Sequence, residues 1–497
     1  MTKAALTVRL LLMLALLLTL GCARMGMTPN PGGGAPSKEP AAADKSKSSA
    51  KSDKSSAWGE ERQDRVVRTR DVDFARAFED EGAPRRDTPA APAAKPMPPA
   101  PAAHSLRYPS IRVQKRPVRV LLKRGIGEIV AYSAAAAYVY TPDGSMSFRG
   151  RMHIDATYGP KSSVIATVNN VKKELRLPCT LFVNSATNLL ELGENSYRGA
   201  IIVIREDAGS VSIINAIHIE DYLRGVVPLE IGSLSETALE ALKAQAVAAR
   251  TYTYKRMAQN ADKPFDLAST VADQVYGGAI AEAPTPDMAI RATKDLIIAY
   301  NDEIADAYYH STCGGRTANI EDVWGGEKIP YLRSKSDMDN SGKAYCGQGG
   351  AFRWTETWGM SQLSNLIKQH ASEGNMIPPY GGGTLRRIEV RERFECGRVK
   401  KLAIVTSHGE YAASGEKARF VLRRNNTPQQ ILRSSNFNSA AIANGEIMIN
   451  GTGYGHGVGM CQVGAIARAR AGENFEQILR AYYTDIAVRT VFSADGR

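Results

Sequence analysis

The chain has 497 residues, 43% of them hydrophobic and 7% aromatic, with 63 basic against 51 acidic side chains for a formal net charge of +12. That length is enough for two or three folded domains. The basic residues are scattered, with no long Lys/Arg run and no aromatic ladder, which argues against a nucleic-acid groove and leaves an anionic polymer, a membrane surface or plain solubility to account for the excess.

Residues 1–22 read as a targeting segment: Lys3 and Arg9 flank the start, and Leu10 to Leu20 is an almost unbroken apolar run. The run is too short to span a bilayer as a mature helix. It ends in Leu18-Thr19-Leu20-Gly21-Cys22, and Gly before Cys after such a run resembles a bacterial lipobox, in which Cys22 is lipidated after cleavage. Thr19 departs from that pattern, because such boxes usually carry Leu there. An ordinary signal peptide is the alternative. Either way the expected location is the cell envelope, as an exported lipoprotein held at the membrane in the first case. In that setting an acidic envelope polymer or membrane surface is the expected partner.

Residues 23–106 predict a disordered linker. Pro, Gly, Ala, Ser and Lys dominate, as in the Lys/Ser run 45–56 and the Pro/Ala run 89–103. Such composition buries too little apolar area to offset the entropy of ordering. The island Trp58 to Phe78 mixes charges with Val66, Val67, Val72 and Phe74, and suits a short amphipathic helix or docking motif.

Residues 107–216 predict a β-rich unit. Short β-type runs such as Val118 to Lys123, Phe148 to Ile154, Ser163 to Val168 and Ala200 to Ile204 are punctuated by Gly, Asn, Asp or Pro. Residues 217–492 predict a mixed core. Asp221 to Gly225 reads as a short helical turn, and Ser233 with Glu236 fits a capping box. Leu239, Leu242, Ala246 and Ala249 then fall on one face at helical spacing, and the helix ends before Pro264. Further helices are expected over 286–294, 357–372, 460–471 and 474–482, and strands over 296–300, 305–312, 384–408 and 418–423. The expected fold class is α+β: a β-rich unit packed on a mixed α/β core, with a cleft between them, behind a disordered tether.

One carboxylate stands out. Glu230 sits in Arg224-Gly-Val-Val-Pro-Leu-Glu-Ile-Gly232, a turn with Pro and Gly just ahead of the apolar helix. A lone acid held against apolar surface stays protonated near neutral pH and can serve as a general acid. An acid at a loop-to-helix junction is more commonly just solvated or a helix-dipole partner.

Beyond Cys22 the chain holds Cys179, Cys313, Cys346, Cys396 and Cys461. An oxidising compartment permits disulfides, and an odd count leaves at least one thiol free. Cys313 and Cys346 lie in loop-like, Gly-flanked contexts and form the best candidate disulfide. Cys461 suits a small buried hydrophobe. His310-Ser-Thr-Cys313 has a spacing a metal could use, with Cys346 as a third ligand. No tight Cys-x-x-Cys pair supports that, so disulfide or packing is preferred and no metal or other cofactor is expected.

Several motifs occur in order: Tyr197-Arg-Gly, Ile219 to Glu230, Ala241 to Tyr252, Asp273-Gln-Val-Tyr-Gly-Gly278, Tyr309 to Arg316, Val323-Trp-Gly, Pro330-Tyr-Leu and Gly453 to Gly464. Together they resemble the SpoIID/LytB proteins, the stage II sporulation protein D and amidase-enhancer group, over roughly residues 110–492. The resemblance implies a peptidoglycan-active protein, and more narrowly a lytic transglycosylase cutting glycan strands stripped of stem peptides. The family's essential glutamate falls on Glu230. Ile231 departs from the usual Met and leaves the acid unaffected.

A single carboxylate suits that reaction. A hydrolase normally uses two acids. A lytic transglycosylase uses the muramic acid's own 6-hydroxyl as nucleophile, so one Glu can protonate the glycosidic oxygen and later take the hydroxyl proton. Glu220 and Asp221 would supply the second acid of a hydrolase, but helix N-terminal charge is the simpler reading. Gln245 and Arg250, on the helix after Glu230 with Lys243, are candidates for binding sugar hydroxyls or carboxylates, or else structural donors. Gln274 and Tyr276 are similar. The resemblance raises His456 and Gln462 to site candidates, while His310 stays open between groove, metal and core. Trp324 and Trp354 suit a glycan groove or the core equally. The competing function is a non-catalytic peptidoglycan-binding module that enhances a cell-wall amidase.

Overall fold

The computed structural model describes residues 108–185, 187–371, 376–377 and 380–493. The targeting segment with Cys22 and the linker 23–106 lie outside the described residues. None of the described helices is long and apolar enough to cross a membrane.

The architecture is α+β. The N-terminal part forms most of an eleven-stranded sheet, in the order 267–268, 118–126, 210–217, 200–207, 179–183, 128–141, 144–155, 163–168 and 171–176, with 190–192 and 195–197 beside it. Its sequence alternates as a half-buried sheet requires. In Glu128–Thr141, Ile129, Ala131, Ala137 and Val139 face the core while Val130, Tyr132, Tyr138 and Tyr140 face out. Ile154, Val164, Leu181, Ile201 and Val203 complete the dry face.

Strand 210–217 leads directly into the helical core: α1 (Ile219–Arg224), α2 (Val227–Ile231), α3 (Leu239–Gln259) and α4 (Pro284–Ala292). The long helix α3 is buried nearly all round, from Ala241 and Leu242 through Ala249 and Arg250 to Tyr254. Its alanines let neighbours approach from every side, and a helix apolar on all faces belongs at the centre of a core. The capping box expected at Ser233 and Glu236 is not made. A 3-10 turn, Glu236–Ala238, leads into α3 instead, and its N-cap Ala238 makes no side-chain bond. The first-turn Glu240 carboxylate accepts the Phe475 N–H at 2.8 Å, tying the start of α3 to the C-terminal helices.

The two ends of the described residues pair with each other. Strand 110–113 runs parallel to strand 487–493, which pairs in turn with 296–300. Of the strand expected over 305–312, Tyr309–His310 pairs parallel to Met460–Cys461, and Thr312 makes an isolated antiparallel bridge to Tyr454.

The sequence reading did not separate a unit inserted between α5 (Ile320–Trp324) and the last helices. The segment expected to be helical from 357 is a strand, 353–359, followed by α6 (Met360–Ala371). That strand pairs with 446–452, and 385–393, 399–406 and 409–414 make a second small sheet. With α7 (Lys417–Val421) they enclose their own apolar core, which includes Trp354, Trp358, Leu363, Ile404 and Ile449. The insert leaves at Phe352 and returns at Gly453, whose N–H donates to the Phe352 carbonyl at 2.9 Å. The chain then enters α8 (Gln462–Arg470) and α9 (Phe475–Tyr482), the latter opened by a complete Asn474/Gln477 capping box.

Between the sheet and the core lies a cavity of about 320 Å³, lined by Leu190, Tyr197, Arg198 and Asp221 among others. Glu230 does not line it.

Candidate active site

Glu230 is set by backbone geometry. Between α1 and α2 stands Gly225, where a Cβ would lie 2.5 Å from the Tyr276 ring. Pro228 sits in the first turn of α2. The helix stops after five residues because Gly232 adopts φ 91° and ψ 164°, a conformation that favours glycine strongly. This single turn is packed by Val227, Pro228 and Ile231, while Glu230 itself keeps part of its surface open to solvent.

The carboxyl is held on the protein side. The Val275 N–H donates to Oε1 at 2.8 Å, and Gln462 hydrogen-bonds the same group. Burial pushes the Glu230 pKa up to about 7, against the two hydrogen bonds, which pull it down. Burial also raises the phenols of Tyr222 and Tyr309 well above their ordinary value, and the Glu230 charge is the next cause for both. Gln274 locks these tyrosines together. Its carbonyl oxygen accepts from the Tyr222 hydroxyl at 3.1 Å and Thr253 at 3.0 Å, and its amide donates to the Tyr309 hydroxyl at 2.8 Å.

His456 stands behind Tyr309. The Val458 N–H donates to Nδ1 at 3.1 Å, so the Nε2 proton points at the Tyr309 carbonyl, 2.9 Å away. Burial lowers its pKa to about 4 and keeps the imidazole neutral. Trp324 packs on both His456 and Tyr308, each at a ring separation of 4.9 Å, and remains 48% exposed. It offers an aromatic face next along the chain from Tyr309's strand.

The other predicted residues divide sharply. Gln462 reaches Glu230 and also donates to Gln245 at 3.4 Å. Gln245, Arg250 and Gln274 are fully buried, at 0% exposure. Arg250 grips Glu220 through two bonds of 2.7 and 2.8 Å and donates to the Leu296 carbonyl at 3.1 Å. It therefore holds α1 against α3 rather than facing a sugar, and it engages Glu220 as well. Asp221 faces Arg224 at 3.5 Å. Tyr276 is buried between Tyr197 and Tyr222, and its hydroxyl donates to Asn215 at 2.7 Å. Trp354 belongs to the insert's core and donates to the Gly453 carbonyl at 2.9 Å. Cys313 and Cys346 are adjacent and unbonded in this structure, their sulfurs 3.5 Å apart, with Cys461 beside them.

Sequence reading missed Tyr222, Val275 and Tyr309 as the carboxyl's surroundings. Each lies inside or beside a motif it had singled out, but nothing in the spacing shows that Val275 comes back to Glu230.

The family described as stage II sporulation protein (SpoIID) matches residues 207–300, and a domain family of unknown function matches 341–459. An uncharacterized protein of Brachyspira hyodysenteriae is 31% identical over 301 residues, covering 59% of this chain and 72% of that protein. The amidase enhancer of Bacillus subtilis is 29% identical over 52% of this chain, which spans only 39% of that relative's length. The stage II sporulation protein D of the same organism is 28% identical over 54% of this chain and 74% of its own. The chain belongs to the SpoIID/LytB family.

Proposed function

We propose that this protein is a peptidoglycan lytic transglycosylase with Glu230 as its sole general acid and base. The observation that carries the reading is a single partly exposed carboxyl raised to about 7, while Glu220 and Asp221, the acids of the preceding helix α1, are engaged by Arg250 and Arg224. A carboxyl near that value is both a competent acid and a competent base at neutral pH. Glu230 gives its proton to the glycosidic oxygen as the bond to the muramic acid's C1 breaks. The 6-hydroxyl of the same sugar attacks C1, and Glu230 takes that hydroxyl's proton. The product is a 1,6-anhydro end, and no water is consumed. Gln462 steadies the carboxyl, and Trp324 supplies a face for a sugar ring. Gln245, Arg250, Gln274, Tyr276 and His456 position these groups from behind.

The amidase-enhancer relative supports a second reading, in which the same surface binds glycan for a cell-wall amidase without cutting it. Amidase-treated peptidoglycan incubated with purified protein in ¹⁸O-water separates the readings. The transglycosylase predicts anhydro-muramic ends without ¹⁸O. Labelled reducing ends would mean a hydrolase, and intact, bound glycan would mean an enhancer.

We further propose export and membrane anchoring through Cys22, with residues 23–106 as the spacer. Mass spectrometry of the mature N-terminus checks this: a lipid-modified Cys22 is expected, and an unmodified N-terminus cleaved elsewhere would contradict it.

A further inference from the structure

Next to the Glu230 site the fold gathers four groups that the proposed chemistry does not use. Cys313, Asp337, Cys346 and Cys461 are all buried, and one ligand atom from each lies within 4.8 Å of the others. The Cys313 sulfur is 3.5 Å from that of Cys346 and 3.2 Å from Asp337 Oδ2. Ligands bound to one tetrahedral zinc at ~2.0–2.3 Å stand roughly 3.3–3.8 Å apart. The described spacing is close to that without any bond between sulfurs.

The surroundings are organised toward these four atoms. Asp337 Oδ1 accepts from the Tyr482 hydroxyl at 2.9 Å and from Arg468 at 3.2 and 3.3 Å, leaving Oδ2 aimed at the cysteines. Backbone amides point at sulfur: Cys313 and Gly464 donate to Cys461 at 3.2 and 3.3 Å, and Gly315 donates to Cys313 at 3.3 Å. Such donors favour thiolates, and the bonds to Asp337 fix a ligating carboxylate as outer partners of metal sites do. Gly464 has no room for a side chain, since a Cβ would fall 2.5 Å from Asp337 Oδ2. His310, the ligand suggested by sequence spacing, instead turns Nδ1 to the Val458 carbonyl at 3.2 Å and is not one of the four.

We propose that Cys313, Asp337, Cys346 and Cys461 form a closed, four-ligand site for zinc. Three soft sulfurs and one carboxylate select zinc over magnesium or calcium, and a closed, buried set is structural rather than catalytic. The ligands come from the segment after strand 309–310, from the long loop before the insert, and from the residue before α8. The metal ties these segments together directly beside Gln462. The site does not depend on whether Glu230 cuts glycan.

The test uses the full exported chain, with zinc measured by elemental mass spectrometry and cysteine accessibility mapped by alkylation. Stoichiometric zinc is expected, with Cys313, Cys346 and Cys461 protected until a strong chelator is added. Cobalt exchanged into the wild type should give thiolate charge-transfer and tetrahedral ligand-field bands. Tyr482→Phe, which keeps every ligand, should weaken zinc binding by ~10-fold. Metal-free protein whose mass is lower by two hydrogens, with one of the three cysteines open to alkylation, would establish a disulfide and overturn the proposal. Metal-free protein with all three thiols reactive and no cobalt bands would overturn it as well.

Discussion

At Glu230 two opposing effects meet, and burial wins. Hydrogen bonds from Val275 and Gln462 favour the carboxylate, yet the pKa stands at about 7, because desolvation of the charge outweighs two donors. If Glu230 is the acid, the cleavage rate should fall as pH rises through about 7, and a rate-pH profile checks it. The same shift has a stability consequence. Between the ordinary value of 4.5 and about 7 the native state binds more protons than the unfolded chain, so stability is lost as pH rises across that window. Glu230→Gln should therefore be more stable than wild type at pH ~8, by roughly 2 kcal/mol after allowing for the carboxyl's partial exposure, with the gain shrinking toward pH ~4. Denaturant titrations at both pH values measure it, and an equal stability difference at both would contradict the burial argument. His456 has the opposite sign: its folded value of about 4 lies below the ordinary 6.5, so its contribution is lost as pH falls through that interval.

The elements around the site differ in how much their sequence reveals. Helix α3 was legible, because alanine and leucine at helical spacing specify it whatever surrounds them. The faces of α3 were not legible, because a helix buried on every side carries no amphipathic stripe to separate core from groove. That is why the sequence left Gln245 and Arg250 open between sugar ligands and structural donors, although both are fully buried. The capping box failed for a related reason: the start of α3 is fastened by tertiary contacts, with Glu240 reaching α9. Arg250 gives a direct check. Arg250→Leu leaves Glu220 without its buried partner and should cost about 3–5 kcal/mol of stability in thermal or denaturant unfolding. A variant that folds as stably as wild type but loses only glycan binding would return Arg250 to the groove.

For the whole molecule, the ordered motifs pointed to the family, whereas the insert over 353–452 escaped notice. Its strands alternate like any others, and only the pairing of 353–359 with 446–452 shows that they close a separate core. Such long-range pairing leaves no local periodic trace. Trp358 is fully buried in that core, so Trp358→Ala should cost about 3–5 kcal/mol. Hydrogen exchange in this variant should accelerate within 353–452 while α3 stays protected; uniform acceleration would show one cooperative core. The most direct measurement compares wild type and Glu230→Gln on amidase-treated peptidoglycan, counting anhydro-muramic ends by mass spectrometry alongside glycan binding. The expected result is unchanged binding with a loss of product of at least ~100-fold. Equal release of anhydro product by both proteins would contradict the assignment.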